Sequence, residues 1–455
     1  MDFNSILNEI KPTESENKEI QDMSRDILDY LTFECEKRNV DAEIFLVGSV
    51  SKGTYLKGKS DIDVFISFPL DTPVEELKET GLILGYACSD HFDGEAGEHY
   101  ASHPYITSKI DKFEVDFVPC YRIRDGSELK SAVDRTILHT NYIKKHLQEY
   151  QKDEVLLLKR FMDMTGTYGS EFKVGGFAGY LCELLIIKYG TFENTLNEAS
   201  NWRYGHVIDL ENYGTSKMFK DPLVVIDPTD KNRNVGAALR LDKMAEFIQS
   251  ARNYLNSDNK LAYFYPIEKN ISKDYVIKSF DERGSDVIAL QFRIPEIPLD
   301  TLHPQLMKTV GSIAERLDGN GFNVFNYGYW TDEESVAIFV FEMANAVLNK
   351  VDINKGPKIF IKKACKQFID AHGIENCFVQ DDYLVQAIER KHDTAEGFID
   401  DLLTEKNITK IKVGKNLTES ILDSYSFCEL EDLVLSDDFW SFCDDLIVPG
   451  QYIRR

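Results

Sequence analysis

Three short apolar segments in the N-terminal part of the chain predict β-strands that carry acidic side chains. Phe45-Leu46-Val47 is the first segment, Ser60 to Ile66 is the second, and Phe113 to Val118 is the third. Because side chains alternate between the two faces of a strand, Asp61 and Asp63 lie on one face of the second strand and its apolar residues lie on the other. The pattern therefore predicts a small sheet with carboxylates on one face.

Segments with a helical period surround these strands and dominate the region that follows. Apolar residues recur at helical spacing in five segments: Glu19 to Lys37, Val74 to Phe92, Glu154 to Thr165, Phe177 to Tyr189 and Leu239 to Leu255. A strand is predicted from Leu223 to Ile226, and the polar stretch from Asp227 to Asn234 is predicted to be a loop. We therefore expect an α/β head over residues 1–140 and a helical neck over residues 141–258.

The pattern changes again after residue 258. A strand, a helix and two more strands are predicted in that order, at Val287 to Arg293, Gln305 to Leu317, Phe322 to Tyr329 and Ser335 to Phe341. This order is typical of a ferredoxin-like or RNA-recognition-like sandwich. The predicted fold class is therefore α+β and multidomain, with a ferredoxin-like or RNA-recognition-like body and a helical tail over residues 259–455.

The chain is strongly acidic, with a formal net charge of −25, yet it contains one lysine-rich stretch at residues 349–368. A helix predicted over residues 357–371 places three lysines on one face, namely Lys358, Lys362 and Lys366. Its opposite face is apolar, with Phe360, Ala364 and Phe368. Since a protein that binds a nucleic-acid backbone needs cations, this helix is the candidate RNA-binding surface, and an ordinary solvated face is the alternative.

Composition predicts a cytoplasmic protein. No apolar stretch is long enough to span a membrane, and the first residues, Met1-Asp2-Phe3-Asn4, lack the basic start of a signal peptide. The eight cysteines are scattered without a Cys-x-x-Cys pair, which predicts free thiols in a reducing compartment. We therefore expect a cytoplasmic protein with no membrane partner.

Three acids are predicted on neighbouring strands, namely Asp61, Asp63 and Asp116. Converging carboxylates repel one another when they are buried, and Mg²⁺ resolves this because it takes carboxylate oxygens and leaves positions open for substrate phosphates. Two such ions suit nucleotidyl transfer, one at the attacking hydroxyl group and one at the triphosphate. Gly48 and Ser49 suit the phosphate side, where Lys52 adds a cation. For an isolated Asp-x-Asp, a solvated strand edge is the alternative.

Several longer strings accompany these acids. They include Gly48-Ser49-Val50-Ser51-Lys52-Gly53-Thr54, His103-Pro104-Tyr105, Val115-Asp116-Phe117-Val118-Pro119-Cys120-Tyr121, Lys130-Ser131-Ala132-Val133-Asp134-Arg135-Thr136 and Gly179-Tyr180-Leu181-Cys182-Glu183-Leu184-Leu185. In these strings the chain resembles the class I, archaeal-type CCA-adding enzymes, the tRNA nucleotidyltransferases that build and repair the 3′ end of tRNA. The resemblance is most specific over the first 240 residues.

The resemblance implies a role for each matching residue. Two Mg²⁺ ions would be held by Asp61, Asp63 and Asp116, and the triphosphate would be contacted by Gly48, Ser49 and Lys52. The nucleotide pocket would be completed by His139, Lys159 and Tyr168, and Arg233 would help to read the base. Each of the last four residues has a structural alternative: a hydrogen-bonded histidine, a solvated helix lysine, a packed tyrosine and a loop arginine with another partner.

The function implied by the resemblance is template-independent addition of C, C and A to tRNA from CTP and ATP, with release of pyrophosphate. The expected partners are the tRNA 3′ end and the two nucleotides, and a homodimer is a further hypothesis. Another nucleotidyltransferase of the same superfamily, a poly(A) polymerase or an oligoadenylate-type synthase, is the nearer alternative. A non-catalytic RNA-binding relative is the more distant one, because such a relative would be expected to lose a metal-binding acid.

Overall fold

A five-stranded sheet forms the centre of the head. The computed structural model describes residues 3–59, 61–100, 103–171 and 173–455. The strands are β1 (Glu43–Leu46), β2 (Ile62–Phe68), β3 (Glu95–Tyr100), β4 (Pro104–Ile110) and β5 (Phe113–Tyr121). Their order is β1-β2-β5-β4-β3, with β2 and β5 parallel and the other neighbours antiparallel. All three predicted strands are present, although β2 begins at Ile62, so Asp61 precedes it, and Ser60 lies outside the described residues.

Helices cover the sheet of the head as its apolar pattern requires. The helices are α1 (Asn4–Ile10), α2 (Glu14–Arg38), α3 (Gly48–Lys52) and α4 (Val74–His91). A capping box fixes the start of α2, because the side chain of Thr13 accepts from the backbone N–H of Glu16 and the Glu16 carboxylate accepts from that of Thr13. Ile27 of α2 and Leu84 of α4 are fully buried in the same core as the apolar face of β2. The helices predicted for these two segments are confirmed.

The neck is mainly helical, as predicted, and contains a small sheet. Its elements are α5 (Arg135–His146), α6 (Glu149–Met164), α7 (Gly179–Tyr189), α8 (Phe192–Ala199), β6 (His206–Asp209), β7 (Leu223–Asp227), β8 (Asp230–Asn234) and α9 (Leu241–Asn256). The loop predicted from Asp227 to Asn234 is wrong, because most of it is the strand β8, paired antiparallel with β7. The carboxylate of Asp227 accepts from the backbone N–H and the hydroxyl group of Thr229, which closes the turn between the two strands.

A four-stranded antiparallel sheet forms the body. Its region contains α10 (Lys273–Arg283), β9 (Asp286–Arg293), α11 (Leu299–Gly319), β10 (Val324–Thr331) and β11 (Val336–Met343). The fourth strand comes much later in the chain, after the inserted segment described next. The sheet order has β9 and β11 in the centre with β10 beside β11, which is the arrangement of a ferredoxin-like sandwich. The strand–helix–strand–strand prediction for this region is therefore confirmed.

The lysine-rich stretch belongs to a small inserted sheet, and the single basic helix predicted there is wrong. The insert contains β12 (Val351–Lys358), α12 (Lys362–His372), β13 (Cys377–Gln380) and β14 (Tyr383–Glu389). Pro357 lies in the edge strand β12, at an irregularity of the register, where a missing N–H is tolerated. Lys358 therefore lies on a strand and not on the helix, and its Nζ is 2.8 Å from Asp382. Phe360 is 80% exposed and does not anchor the helix.

The remaining elements complete the body and return the chain to the neck. They are α13 (Ala395–Leu402), α14 (Thr418–Ser424), β15 (Ser426–Cys428) and α15 (Asp437–Ile447), and β15 pairs with β9 as the fourth strand of the body sheet. The chain divides into two compact units, residues 1–268 together with 450–455, and residues 269–449. Within the first unit, Asn253 donates to the carbonyl oxygen of Ile453 over 2.8 Å, and Arg455 donates to that of Tyr265 over 2.7 Å.

Two general expectations can be compared with the described residues. All eight cysteines are free, as predicted. None of the helices in the described ranges combines the length and the apolar character that a bilayer-spanning segment needs. The predicted boundaries at residues 140 and 258 remain predictions.

Candidate active site

Two of the three predicted metal-binding acids lie side by side on parallel strands. Asp63 of β2 and Asp116 of β5 are direct neighbours in the register. Burial, followed by the charges of Asp116 and Asp61, raises the pKa of Asp63 to about 7. Burial also raises the pKa of Asp116, although its carboxylate accepts a 2.6 Å hydrogen bond from the hydroxyl group of Thr107 on β4. The pair thus has unbalanced negative charge, which a cation would compensate.

Asp61 is placed differently from the other two acids. It lies just before β2 and is exposed, while its charge contributes to the raised pKa of both Asp63 and Asp116. Within the described ranges, no three His, Cys, Asp or Glu side chains are close enough to form a ready-made metal cluster. The donors that the site offers are carboxylate oxygens, the ligands of hard divalent cations, and the charge of the Asp63–Asp116 pair fits such an ion.

Position 48 requires glycine, because the Asp63 carboxylate leaves no space for a side chain there. A Cβ atom at position 48 would lie 1.8 Å from Oδ2 of Asp63, and the φ angle of +69° is one that L side chains rarely adopt. The backbone N–H of Val47 donates to the carbonyl oxygen of Asp63 over 2.9 Å, which fixes the end of β1 against β2. Gly48 and Ser49 then begin the short helix α3, so the predicted phosphate-binding residues lie directly beside the acids.

Lys52, at the end of α3, has a carboxylate partner that the sequence did not indicate. Its Nζ is 2.6 Å from Oε2 of Glu183 on α7, and the other oxygen of Glu183 accepts from the hydroxyl group of Thr54 over 2.5 Å. Burial opposes ionisation of this carboxyl group, yet the charges of Lys52 and Lys159 are stronger and hold the pKa of Glu183 below its usual range. Lys52 also lowers the pKa of Asp63, so its charge acts on the acid pair.

Lys159 and Tyr168 lie on the neck side of the same region. Lys159 is buried, with 2% exposure, so its alternative as a solvated helix lysine is wrong. Its Nζ donates to the carbonyl oxygen of Thr54 over 2.8 Å, and burial lowers its pKa. A Cβ atom at Gly179 would lie 3.3 Å from the hydroxyl oxygen of Tyr168 and 3.4 Å from Nζ of Lys159, so both polar ends face this glycine.

His139 and Arg233 share one buried carboxylate, that of Asp227. The distance to Oδ2 of Asp227 is 2.9 Å from Nε2 of His139 and 2.8 Å from Nη1 of Arg233. The His139 ring also stacks on Tyr180, with ring centroids 4.1 Å apart. Burial lowers the pKa of His139, although the hydrogen bond and the charge of Asp227 oppose this shift. Burial alone would raise the pKa of Asp227, but the hydrogen bond from His139 and the charges around it hold that pKa well below its usual range.

Arg233 lies on β8 and not in a loop, and its ion pair with Asp227 is the other partner that its structural alternative expected. It also lines an open cleft of about 370 Å³, together with Arg135, Asn232 and Phe219. The partners Glu183 and Asp227 were missed by the sequence reasoning. In the sequence, each of them is an acid beside apolar residues, which is costly to bury without a partner. Glu183 lies between Cys182 and Leu184, and Asp227 follows the strand Leu223 to Ile226.

The predicted RNA-binding lysines lie in the second unit and are not equivalent. Lys358 is paired with Asp382, whereas Lys362 and Lys366 are exposed on α12 and have no ion-pair partner among residues 3–59, 61–100, 103–171 and 173–455. Lys355 lies over the ring of Tyr383, with Nζ 3.7 Å from the ring centroid. The insert thus presents both cations and an aromatic ring.

Comparison with known proteins identifies the three parts of the chain. Residues 28–139 match a nucleotidyltransferase domain, residues 153–265 match the second domain of tRNA nucleotidyltransferases, and residues 283–429 match the C-terminal domain of CCA-adding enzymes. With its acid-bearing sheet, the protein is a nucleotidyltransferase, a class of enzymes that use divalent metal ions.

Full-length relatives define the family more narrowly. The CCA-adding enzyme of Methanothermobacter thermautotrophicus is 45% identical, covering 100% of this chain and 99% of the relative. That of Methanosarcina barkeri is 34% identical, covering 94% and 95%. The chain belongs to the archaeal CCA-adding enzymes. A solved structure of the Cid1 poly(U) polymerase is also similar, with 18% identity, a TM-score of 0.45, and coverage of 57% of this chain and 96% of that one.

Proposed function

We propose that this protein adds C, C and A to the 3′ end of immature or damaged tRNA, using CTP and ATP and releasing pyrophosphate. The observation that carries the proposal is the 45% identity to a CCA-adding enzyme over the full length of both chains. The register of Asp63 and Asp116 beside Gly48 supports the proposal, because adjacent carboxylates are the ligands that divalent cations take. The tRNA 3′ oxygen forms a bond to the α-phosphorus while the bond between this phosphorus and the pyrophosphate oxygen breaks.

The acids would hold the metal ions of the reaction. We propose that Asp63 and Asp116 bind two Mg²⁺ ions, and that Asp61, exposed directly before β2, is an additional ligand. When bound, such ions would lower the pKa of the attacking hydroxyl group and neutralise the triphosphate. Thr107 orients the Asp116 carboxylate through its 2.6 Å hydrogen bond. Gly48 keeps the space beside Asp63 open, because any side chain there would occupy the position of Oδ2.

The remaining residues bind and orient the nucleotide. Ser49 donates to the triphosphate, and Lys52 supplies a cation on the same side of the acids. Lys159 and Tyr168 form the wall of the pocket at the neck. His139 and Arg233 form its base-reading side, where Asp227 fixes both of them in place. Catalysis by these groups is positioning and charge stabilisation, without a covalent enzyme intermediate.

The tRNA would be bound by a localised basic surface, since the chain as a whole is acidic. We propose Lys362 and Lys366 of α12 as phosphate contacts, with Lys358 a weaker one because Asp382 already neutralises it. We further propose that the enzyme works in the cytoplasm, and a homodimer remains a hypothesis that sedimentation would test.

The decisive experiment uses a tRNA that lacks its terminal CCA. The purified protein is incubated with this tRNA and CTP, with ATP, or with both, and the products are separated at single-nucleotide resolution. CTP alone should add two nucleotides, and both together should add three. Protein carrying Asp116→Asn, purified in the same way, controls for contaminating host enzyme. A long A-tail on an unrelated RNA primer would instead assign a poly(A) polymerase, and no extension at all would overturn the proposal.

A further inference from the structure

Glu183 is a buried carboxylate for which the reaction described above provides no role. It lies on α7 and has 0% exposure. One of its oxygens is 2.6 Å from Nζ of Lys52, and the other accepts from the hydroxyl group of Thr54 over 2.5 Å. Because both oxygens have partners on the head, the carboxylate cannot turn away from Lys52 without breaking a hydrogen bond.

A second lysine balances the charge of this carboxylate. Lys159 of α6 is buried, and its Nζ donates to the carbonyl oxygen of Thr54, the same residue that holds Glu183. The charges of Lys52 and Lys159 both stabilise the ionised form of Glu183. One buried carboxylate therefore faces two ammonium groups. Burying charges is costly, and a pure stability role would be served as well by apolar residues of similar volume.

We propose that Glu183 is a positioning residue for Lys52, holding its ammonium group in the orientation in which it contacts the triphosphate of the incoming nucleotide. The inference rests on the proposed function, from which the phosphate contact of Lys52 is taken. A lysine ammonium group has three donors, so one hydrogen bond to Glu183 leaves two for phosphate oxygens. Lysine side chains have large rotamer freedom, and fixing one before the nucleotide arrives removes part of the entropic cost of binding.

The second lysine explains how the carboxylate can remain charged when a nucleotide is bound. As Lys52 shares its charge with the triphosphate, Lys159 still compensates Glu183. The neutral Glu183→Gln change leaves two ammonium groups close together without an anion, and a buried lysine in that setting tends to lose its proton. The summed charge of Lys52, Lys159 and residue 183 then stays at one positive charge, as in the wild type. The variant therefore loses the orientation of Lys52 but does not attract the triphosphate more strongly.

Other titratable groups act on the lysines and the carboxylate from the surrounding elements. They are Asp63 on β2, His139 and Lys144 on α5, Tyr168 before α7, and Tyr180 and Cys182 on α7. All of them are unchanged in the variants described next, so their contributions cancel when the variants are compared with the wild type.

A double-mutant cycle on CTP binding tests the inference. The dissociation constant for CTP is measured by calorimetry, without tRNA, for the wild type, Lys52→Met, Glu183→Gln and the double variant. Each single change should weaken binding by roughly tenfold, the size expected for a charge-assisted hydrogen bond. If Glu183 acts through Lys52, the double variant should bind within about twofold of Lys52→Met, because the second change then removes nothing more.

The chain offers a matched control in the second unit. Glu342 is also 0% exposed, and its carboxylate is 2.6 Å from the guanidinium group of Arg283. Glu342→Gln should lower stability in urea as Glu183→Gln does, yet leave the affinity for CTP unchanged. Should Glu183→Gln fail to fold, Glu183→Asp keeps the charge, withdraws the carboxylate from Lys52, and can be measured in the same cycle.

The results separate this inference from the proposed function. Two results would overturn the positioning role. One is unchanged or tighter CTP binding by Glu183→Gln. The other is that Glu183→Gln weakens CTP binding by the same factor in the wild type and in Lys52→Met. A wild type that binds CTP but does not extend the truncated tRNA would overturn the proposed function alone, and the cycle could still be read. A wild type that does not bind CTP would refute both.

Discussion

The Asp63 carboxyl group leads to a quantitative expectation about stability in the absence of metal. Burial, together with the charges of Asp116 and Asp61, raises its pKa from 3.8 to about 7. In the unfolded chain this carboxyl group ionises near its usual pKa, whereas in the folded protein it keeps its proton until the pH approaches 7. Between these two values the folded state binds more protons than the unfolded state, so the free energy of unfolding falls as the pH rises.

The size of the effect follows from the two pKa values. Their difference corresponds to roughly 4 kcal/mol in total, and the part between about pH 5 and about pH 7 corresponds to roughly 3 kcal/mol. Above pH 7 the carboxyl group is ionised in both states and its contribution no longer changes. Asp63→Asn removes the titration, so the wild type should lose about 3 kcal/mol more than the variant between about pH 5 and about pH 8.

Urea unfolding in a metal chelator measures this difference. Wild type and Asp63→Asn are compared at several pH values, and the comparison is repeated with excess Mg²⁺. Metal should restore stability to the wild type near pH 8 and have little effect on the variant, because the ion is bound by the ionised carboxylate. Asp61→Asn is the matched comparison: this exposed residue supplies only one of the contributions that raise the pKa of Asp63, so its difference should have the same sign and be clearly smaller.

One result would refute the reasoning. If the difference in stability between the wild type and Asp63→Asn stays constant from about pH 5 to about pH 8, then Asp63 is not held in a destabilising setting. The inference that the acid pair requires a cation would then lose its physical basis, even if the enzyme proved to need metal for activity.

Four further outcomes are expected. Asp116→Asn should fold and bind tRNA but lose nearly all nucleotide transfer in the truncated-tRNA assay, and substantial turnover by the pure variant would contradict its metal role. Gly48→Ala should lower stability by about 1–3 kcal/mol in urea and abolish activity, because its Cβ overlaps a carboxylate and its φ is positive; near wild-type values would count against the close approach. Asp227→Asn should raise KM for CTP and ATP about tenfold or more, measured by steady-state kinetics, since the guanidinium group and the imidazole then lose a shared anchor. Replacing Lys362 and Lys366 together by Gln should flatten the salt dependence of tRNA binding by about two in log–log slope while CTP affinity stays constant, and an unchanged slope would place the tRNA path elsewhere.

The strands and helices with strict periodicity could be predicted because burial imposes that periodicity. β2, β5 and the long helices α2 and α4 have one continuous apolar face each, and the residues of that face are buried. The hairpin of β3 and β4 was not predicted. β3 is an edge strand with the sequence Glu-Ala-Gly-Glu-His-Tyr, and an edge strand with so few apolar residues has little periodic signal.

The lysine-rich insert was wrongly predicted to be a helix, because its lysine composition was considered before its strand-like alternation. Val351 and Ile353 alternate with the polar Asp352 and Asn354 at a period of two, as a strand requires, but the lysine spacing also fits a helix. The partner that neutralises Lys358 is Asp382, in the turn between β13 and β14. An ion pair of this kind depends on how strands meet in space, which local spacing does not specify.

The sequence indicated candidate site residues but not the partners that hold them. Lys52 and Glu183 are 131 residues apart in the chain, and His139 and Asp227 are 88 apart. A motif indicates a candidate residue, whereas the group that fixes this residue comes from another element of the fold. The string from Lys130 to Thr136 is a related case, since its buried Asp134 accepts hydrogen bonds from backbone N–H groups and holds a loop together.

The return of residues 450–455 to the first unit has a consequence for biosynthesis. The ribosome makes residues 1–268 first, then the whole of residues 269–449, and only afterwards the segment whose Ile453 and Arg455 bond to Asn253 and Tyr265 of the first unit. Asn253 and the carbonyl group of Tyr265 therefore lack these hydrogen-bond partners until the second unit has been synthesised. Completion of the catalytic half is in this way coupled to translation of the half that follows it, and a nascent chain arrested within residues 269–449 would lack these final contacts.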